Sequence, residues 1–407
     1  MKILPKKLFF VFSLLSTASL AFSFETGGLF TNDTKFANVE KDGGLKLDQK
    51  NGLNLWARQP FNEDGTSYFS AEGSFQTEYD ASQSDSDEKF KLYADINLFK
   101  FVFQKELDSG NLILSLGRFY NSDLSETVYT QNGDGAKVEF SVSKISFSAF
   151  GAYTGLLNAK NITILDNDAP ELKAKTPYTL ANKYVVGGVT FALPHIFASQ
   201  TVALEGFAAF GLEDTTYNRF YGTLALNGPI VSPVFYSVST TFGFAKIEDG
   251  DTGDTENLKG NLTKISISAY PDFKSMSVSL NGVYASGAQG SLDAFTGFTS
   301  GAAANSLDEP EYSGILKGGL SATIKPISNV LVSLSGDIVF DAAAGDKQDE
   351  IKAAGFQYSL GANWQIVSDV SLGLNFGQFI GTDDYSDAST RVGGNKTELK
   401  ISAAIAF

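Results

Sequence analysis

"ELKISAAIAF", residues 398–407, alternates without a break. Leu399, Ile401, Ala403, Ile405 and Phe407 fall on one side of an extended chain, and Glu398, Lys400, Ser402, Ala404 and Ala406 on the other. A period of two residues is that of a strand with one apolar and one polar face. The same reading works upstream. In 370–381, Val370, Leu372, Leu374 and Phe376 oppose Ser371, Gly373, Asn375 and Gly377; in 352–367, Phe356, Tyr358, Leu360, Ala362, Trp364 and Ile366 oppose Gln357, Ser359, Gly361, Asn363 and Gln365. No convincing helical stripe at i, i+3, i+4 and i+7 interrupts the pattern, and beyond residue 23 no apolar run is long enough for a transmembrane helix.

The alternation predicts sixteen strands: 67–79, 89–104, 110–119, 135–142, 145–156, 182–193, 200–211, 218–230, 234–246, 257–270, 276–287, 312–326, 330–341, 352–367, 370–381 and 396–407. Their connections alternate in length. "SK" (143–144), "VSP" (231–233), "SN" (328–329) and "SD" (368–369) are short, whereas "NSDLSETVYTQNGD" (121–134), 158–181, "IEDGDTGDTE" (247–256) and 288–311 are long, and most of the long ones are acidic and polar. Short turns at one end, long loops at the other and an even strand number describe an antiparallel up-and-down β-barrel crossing a membrane. Lipid offers no hydrogen-bond partners, so a sheet that crosses it must close on itself. The polar face then lines a hydrated interior, and a barrel of sixteen to eighteen strands leaves a channel there. A soluble sandwich would have strands nearer five or six residues.

The charges agree with a wet interior. Glu72, Lys91, Asp95, Lys137, Glu139, Glu205, Arg219, Lys264, Lys317, Lys325, Asp337, Glu398 and Lys400 all take the inward parity. A Lys or Arg on the lipid face near the midplane would cost about 2–4 kcal/mol. Arg118 in "LSLGRFYNSD" shares the outward parity of Leu112, Leu114 and Leu116; either a bulge near Gly117 turns it inward, the preferred reading, or it snorkels at the strand end. Rings near the strand ends form two sets: Tyr79, Phe119, Tyr153, Phe210, Tyr217, Phe244, Tyr284 and Phe379 toward the long loops, Tyr270, Trp364 and Phe407 toward the short turns. Two such girdles are expected at the two membrane interfaces.

At the other end, "MKILPKKLFFVFSLLSTASLAFS" carries three lysines, an apolar core and small residues at Ala21 and Ser23, the features of a cleaved signal peptide over residues 1–23. With it go Lys2, Lys6 and Lys7, leaving 28 basic against 46 acidic side chains, a formal charge of −18. Such a chain is a poor partner for nucleic acid. Cysteine is absent, which removes disulfides, thiol chemistry, cysteine metal sites and a lipidated anchor. His195, the single histidine, follows Pro194 in a short turn with no serine constellation tied to it, so no enzyme is expected. The carboxylate pairs "DD" (383–384) and "DE" (308–309) lack calcium-loop spacing, and neither a metal nor a cofactor is expected.

Signal peptide, even alternating strands, short turns against long loops and a last amphipathic strand ending on phenylalanine resemble the Gram-negative outer-membrane β-barrel proteins. The size resembles a general porin. The resemblance implies a sixteen-stranded barrel over 67–407, integral to outer-membrane lipid, that passes small hydrophilic solutes and ions by passive diffusion. It implies that Phe407 belongs to the signal read by the barrel-assembly machinery, and porins of this size resemble homotrimers. In that family the third loop folds into the lumen; carried over, 158–181 would form the constriction, with Asp166, Asp168, Glu171, Lys173 and Lys175 as its charges. The loop 288–311 reads as mobile or surface-exposed. Alternatives are a substrate-specific channel or transporter, including one for hydrophobic compounds, and a surface barrel acting as an adhesin or structural protein. Residues 24–66 read as a tail, a small plug or an extra hairpin; the hairpin would give eighteen strands, as in substrate-specific channels.

Overall fold

The computed structural model describes residues 24–39, 45–81, 89–165, 172, 176–213, 216–248, 255–287, 292–299, 313–342, 351–386 and 394–407. The signal peptide expected at 1–23 lies outside the described residues. The first nine strands are β1 (Glu25–Val39), β2 (Leu45–Pro60), β3 (Tyr68–Asp80), β4 (Phe90–Leu107), β5 (Gly110–Ser122), β6 (Thr130–Val142), β7 (Ile145–Tyr153), β8 (Tyr184–Leu193) and β9 (Thr201–Gly211). The remaining nine are β10 (Thr216–Val231), β11 (Val234–Glu248), β12 (Thr255–Ala269), β13 (Ser277–Ala285), β14 (Ile315–Ile327), β15 (Val330–Asp341), β16 (Lys352–Val367), β17 (Val370–Gly381) and β18 (Lys396–Ala406). Each pairs antiparallel with its sequence neighbours, and β1 pairs with β18 to close the cylinder.

Alternation predicts sixteen strands most strongly; the structure has eighteen. All sixteen expected segments are strands, and the additional pair is β1–β2. The reason for the miscount lies in the outward positions of this hairpin. Toward the short-turn end they are apolar, with Phe30 opposite Leu53, which is opposite Phe75; one step further along, Asn32 faces Asn51, which faces Thr77. Asn32 Nδ2 donates to Asn51 Oδ1 at 2.7 Å, and Asn51 Nδ2 to Thr77 Oγ1 at 3.4 Å. A polar ladder thus replaces the apolar one halfway along, and the period-2 signal fades with it. Glu398 and Lys400 find their partners on this overlooked strand: Lys35 Nζ lies 2.9 Å from Glu398, and Lys400 Nζ 3.2 Å from Asp33.

Around the cylinder the outward face is apolar and bare. Phe99, Phe101, Phe220, Leu224, Phe242, Leu280, Leu320, Leu334, Leu360, Leu374 and Ile401 are all exposed. Water would penalise this surface by roughly 25 cal/mol for each Å² exposed, whereas hydrocarbon would not. Phe407 continues the outward row of Ile405. Its backbone N–H donates to Gly28 O at 3.0 Å, Gly28 N–H donates back at 2.8 Å, and its ring is 68% exposed. Of the rings expected at the interfaces, Phe210, Phe244, Tyr79, Tyr270 and Trp364 are exposed, but Phe119, Tyr217 and Phe379 are buried. These three take the inward parity and pack within the barrel.

Candidate functional site

The β5–β6 hairpin does not stay in the wall. Two glycines mark where it departs. Gly117 has φ +116°, and a Cβ there would stand 2.2 Å from the carbonyl oxygen of Phe99; at Gly135 it would stand 1.9 Å from that of Gly151. Beyond them β5 and β6 remain paired with each other up to Ser122 and Thr130. Their outer neighbours stop: β4 pairs with β5 only as far as Phe99–Arg118, and β6 with β7 only as far as Asp134–Tyr153.

The tip of the hairpin is organised by one carboxylate. Asp123 accepts from the backbone N–H groups of Ser125 (2.8 Å), Thr127 (3.1 Å) and Tyr129 (2.9 Å), and from the Ser125 hydroxyl. Charge-assisted bonds of this kind are roughly twice as strong as neutral ones. Two wall residues then hold the tip. Glu205 on β9 accepts from Leu124 N–H at 3.0 Å, and Lys264 on β12 donates to Ser125 O at 2.7 Å and Thr127 Oγ1 at 2.5 Å. Since β12 stands seven strands round the sheet from β5, the hairpin reaches it across the lumen.

A second segment meets the first. In 292–299, which the sequence assigns to a mobile or surface loop, Phe295 and Phe298 are fully buried. Phe298 N–H and Thr299 N–H both donate to Val128 O, at 3.1 and 2.9 Å. Arg219 on β10, itself fully buried, donates to Gly297 O (2.8 Å), Phe298 O (3.4 Å) and Leu165 O, and its guanidinium lies over the Tyr217 ring at 3.7 Å. Tyr221 OH donates to Thr296 O at 2.7 Å. Tyr129, Phe150, Phe207, Tyr184 and Phe298 form an aromatic cluster with centroid separations of 5.0 to 6.3 Å. Burial pushes the Tyr129 hydroxyl above its ordinary range, with Asp134 adding to the push. The apolar spacing in "DAFTGF" (293–298), a phenylalanine every third residue, was the available sign that this loop folds onto something.

The other charges of inward parity are distributed round the wall. Asp95 accepts from Asn161 Nδ2 at 2.9 Å and lies 3.5 Å from Arg118, and Glu72 accepts from Asn97 Nδ2 at 3.0 Å. Lys91 stands opposite Glu78 in the ladder. Lys137 and Glu139 pair with each other at 3.0 Å, and Asp337 accepts from Gln357 Nε2 at 2.6 Å. Lys264 and Lys317 share one row, each opposite Val283 of β13. Lys325 is exposed near the short-turn end of β14. No bulge interrupts either ladder at Gly117, whose φ is +116°; Arg118 keeps its place opposite Asp134 as the hairpin leaves the wall and holds it with two bonds of 2.8 Å. Asp166, Asp168, Glu171, Lys173 and Lys175, the constriction charges expected from the resemblance, lie outside the described residues. With the extra hairpin counted, the third long connection is the one between β5 and β6, and it is this one that crosses the lumen. His195 is exposed in the β8–β9 turn with φ 56°.

This geometry has solved counterparts. OccK5 (OpdH) of Pseudomonas aeruginosa superposes with a TM-score of 0.59 over 94% of this chain and 98% of that one, at 10% identity. The chain has the fold of an outer-membrane barrel. The outer membrane protein OprD from the same organism matches with a TM-score of 0.59 over 94% and 93% of the two chains at 13% identity, and its outer membrane protein opdK with 0.58 over 94% and 99% at 10%. No family model and no curated protein sequence matches the chain. The barrel fold is therefore shared with chains only 10–13% identical in sequence.

Proposed function

We propose that this chain is a channel of the bacterial outer membrane through which small hydrophilic solutes and ions diffuse, with a lumen narrow enough to select among them. The observation that carries the reading is the β5–β6 hairpin, fixed across a polar interior by Glu205 and Lys264. Cations and carboxylates lining the remaining space set ion preference through their local potential. In this reading residues 1–23 export the chain, the exposed ring of Phe407 is part of what the barrel-assembly machinery reads, and Asp166, Asp168, Glu171, Lys173 and Lys175 border the passage. The channel reading is favoured over an adhesin because the interior carries charges of both signs that a mere anchor for surface loops does not need.

Conductance of single refolded molecules in a planar bilayer under a salt gradient tests it. Stepwise conductance is expected, and Lys264→Glu should shift the reversal potential toward cation preference while raising the conductance. A folded, heat-modifiable barrel that never conducts would overturn the reading.

A further inference from the structure

The chain has two tryptophans, and they face opposite ways. Trp364 shares the outward parity of Leu360 and is exposed on the outer wall. Trp56, near the short-turn end of β2, stands opposite Gly27 of β1 and Glu72 of β3. The next residue of each of the first two strands places that row: Gly28 and Leu55 lie beneath the outward ring of Phe407, so Gly27 and Trp56 face the lumen. A Cβ at Gly27 would stand 2.6 Å from Cζ2 and 2.8 Å from Nε1 of the indole, which therefore rests against backbone that only a glycine leaves open. Trp56 nevertheless remains 40% exposed, and its Nε1–H meets no acceptor among the described residues. A large ring left bare in a hydrated passage gains by being covered, and its N–H by finding a partner.

Polar groups are fixed beside this ring. The ladder between β3 and β4 shifts by one residue after Glu72, and the extra residue, Asn97, turns inward. Asn97 Nδ2 donates to Glu72 Oε1 at 3.0 Å, and Asn97 Oδ1 accepts from Ser74 Oγ at 2.9 Å. The carboxylate is thereby held in place while its second oxygen has no partner among the described residues. Toward the turn, the nearest cation is already engaged: Arg58 lies 3.3 Å from Glu25, donates to Gly65 O at 2.7 Å and covers the Tyr68 ring at 4.2 Å. On the far side of the lumen, eight and seven strands round the sheet from β2, the short-turn halves of β12 and β13 present uncharged groups bonded to one another, Ser266 to Asn281 at 2.9 Å and Ser268 to Ser279 at 2.8 Å.

A bare aromatic surface with a free carboxylate oxygen and a free N–H at its edge suits a pyranose. The C–H groups on one side of the sugar cover the apolar ring, and its hydroxyls reach past the edge to the acceptor and the donor. A quaternary cation would be held by a cage of several rings, and here there is one. We propose that Trp56, Glu72 and Asn97 form a binding subsite for a neutral sugar ring at the short-turn mouth of the lumen. The inference rests on the reading of the chain as a channel and names a class of solute for it.

Trp364→Phe leaves Trp56 as the sole tryptophan, so that its emission reports the subsite directly in the full refolded chain. Titration with glucose, maltose or sucrose is expected to shift that emission to shorter wavelength and to saturate, whereas choline should have little effect. In a planar bilayer the same sugars should interrupt the ion current. Trp56→Ala is expected to raise the sugar concentration needed for half-block about tenfold, Trp56→Tyr to recover most of the loss, and Glu72→Gln to weaken block by a smaller factor. Emission that none of the three sugars shifts, or block that is equal with and without Trp56, overturns the subsite even where the channel conducts. A larger shift with choline than with the sugars overturns it too. A saturable shift with sugar in a barrel that never conducts supports the subsite and defeats the channel reading instead.

Discussion

Two hairpins of this barrel, β10–β11 and β5–β6, begin alike and end in different places. Both are antiparallel ladders, the first closed by Ser232 and Pro233 at the short-turn end and the second by residues 123–129 at the long-loop end. The β10–β11 pair runs from Val231–Val234 to Thr216–Glu248 and remains in the wall throughout, with Phe220, Leu224, Phe242 and Phe244 exposed on its outer face. The β5–β6 pair has an apolar outer face only up to Leu116 and Ala136. Past Gly117 and Gly135 it reads "RFYNS" against "TQNGD", with Arg118, Asp134, Asn132 and Ser122 on the outward parity, and there it turns into the lumen. Lipid accepts the first pattern and rejects the second. Strand pairing alone, then, does not keep a hairpin in a barrel wall; the outward parity does.

Breaking the anchor of the departing hairpin should have the largest effect. Arg118 and Asp95 side chains are only 8% and 7% exposed, so Arg118→Ala strands buried carboxylates and is expected to cost about 3–5 kcal/mol, read by urea unfolding in detergent or lipid. A paired substitution tests the comparison itself. Leu224→Arg, halfway along β10, should cost about 2–4 kcal/mol, while Tyr120→Arg on β5, of nominally outward parity but out of the wall, should cost under about 1. Similar losses at both sites would place Tyr120 against lipid. Gly117→Val forces a β-branched side chain into a left-handed backbone and against the Phe99 carbonyl, for an expected loss of about 1–3 kcal/mol and a larger conductance as the hairpin is displaced. The smallest change is expected of Lys35→Ala, which removes a partly exposed ion pair with Glu398 for about 0–1 kcal/mol.

The alternation in strands such as β16, β17 and β18 made the barrel class and sixteen of its strands legible, because lipid on one side and water on the other impose opposite chemistry on adjacent residues. The β1–β2 hairpin escaped because Asn32, Asn51 and Thr77 form a polar ladder on its outer face. That omission had a consequence for the site. With two strands missing from the count, the resemblance to general porins pointed to 158–181 as the third loop, whereas the loop after β5 holds that rank. Parity assigns charges to the inward face, but it does not say what they hold. Nothing in the spacing of Glu205 and Lys264 says that both grip a loop from the far side of the barrel, since that contact depends on where the hairpin bends. Gly117, Gly135 and the run "DLSET", an Asp followed by Ser and Thr, were the local signs of the bend and of the capped tip.

The tether from β5 and β6 to Lys264 has a mechanical side. An eighteen-stranded cylinder is wide and thin-walled, and lateral pressure from the membrane tends to flatten it into an oval. A hairpin hinged at Gly117 and bolted to β9 and β12 by Glu205 and Lys264 acts as a cross-brace along a chord of that circle. Flattening would have to stretch or buckle the brace, so the element that narrows the passage also keeps its cross-section round.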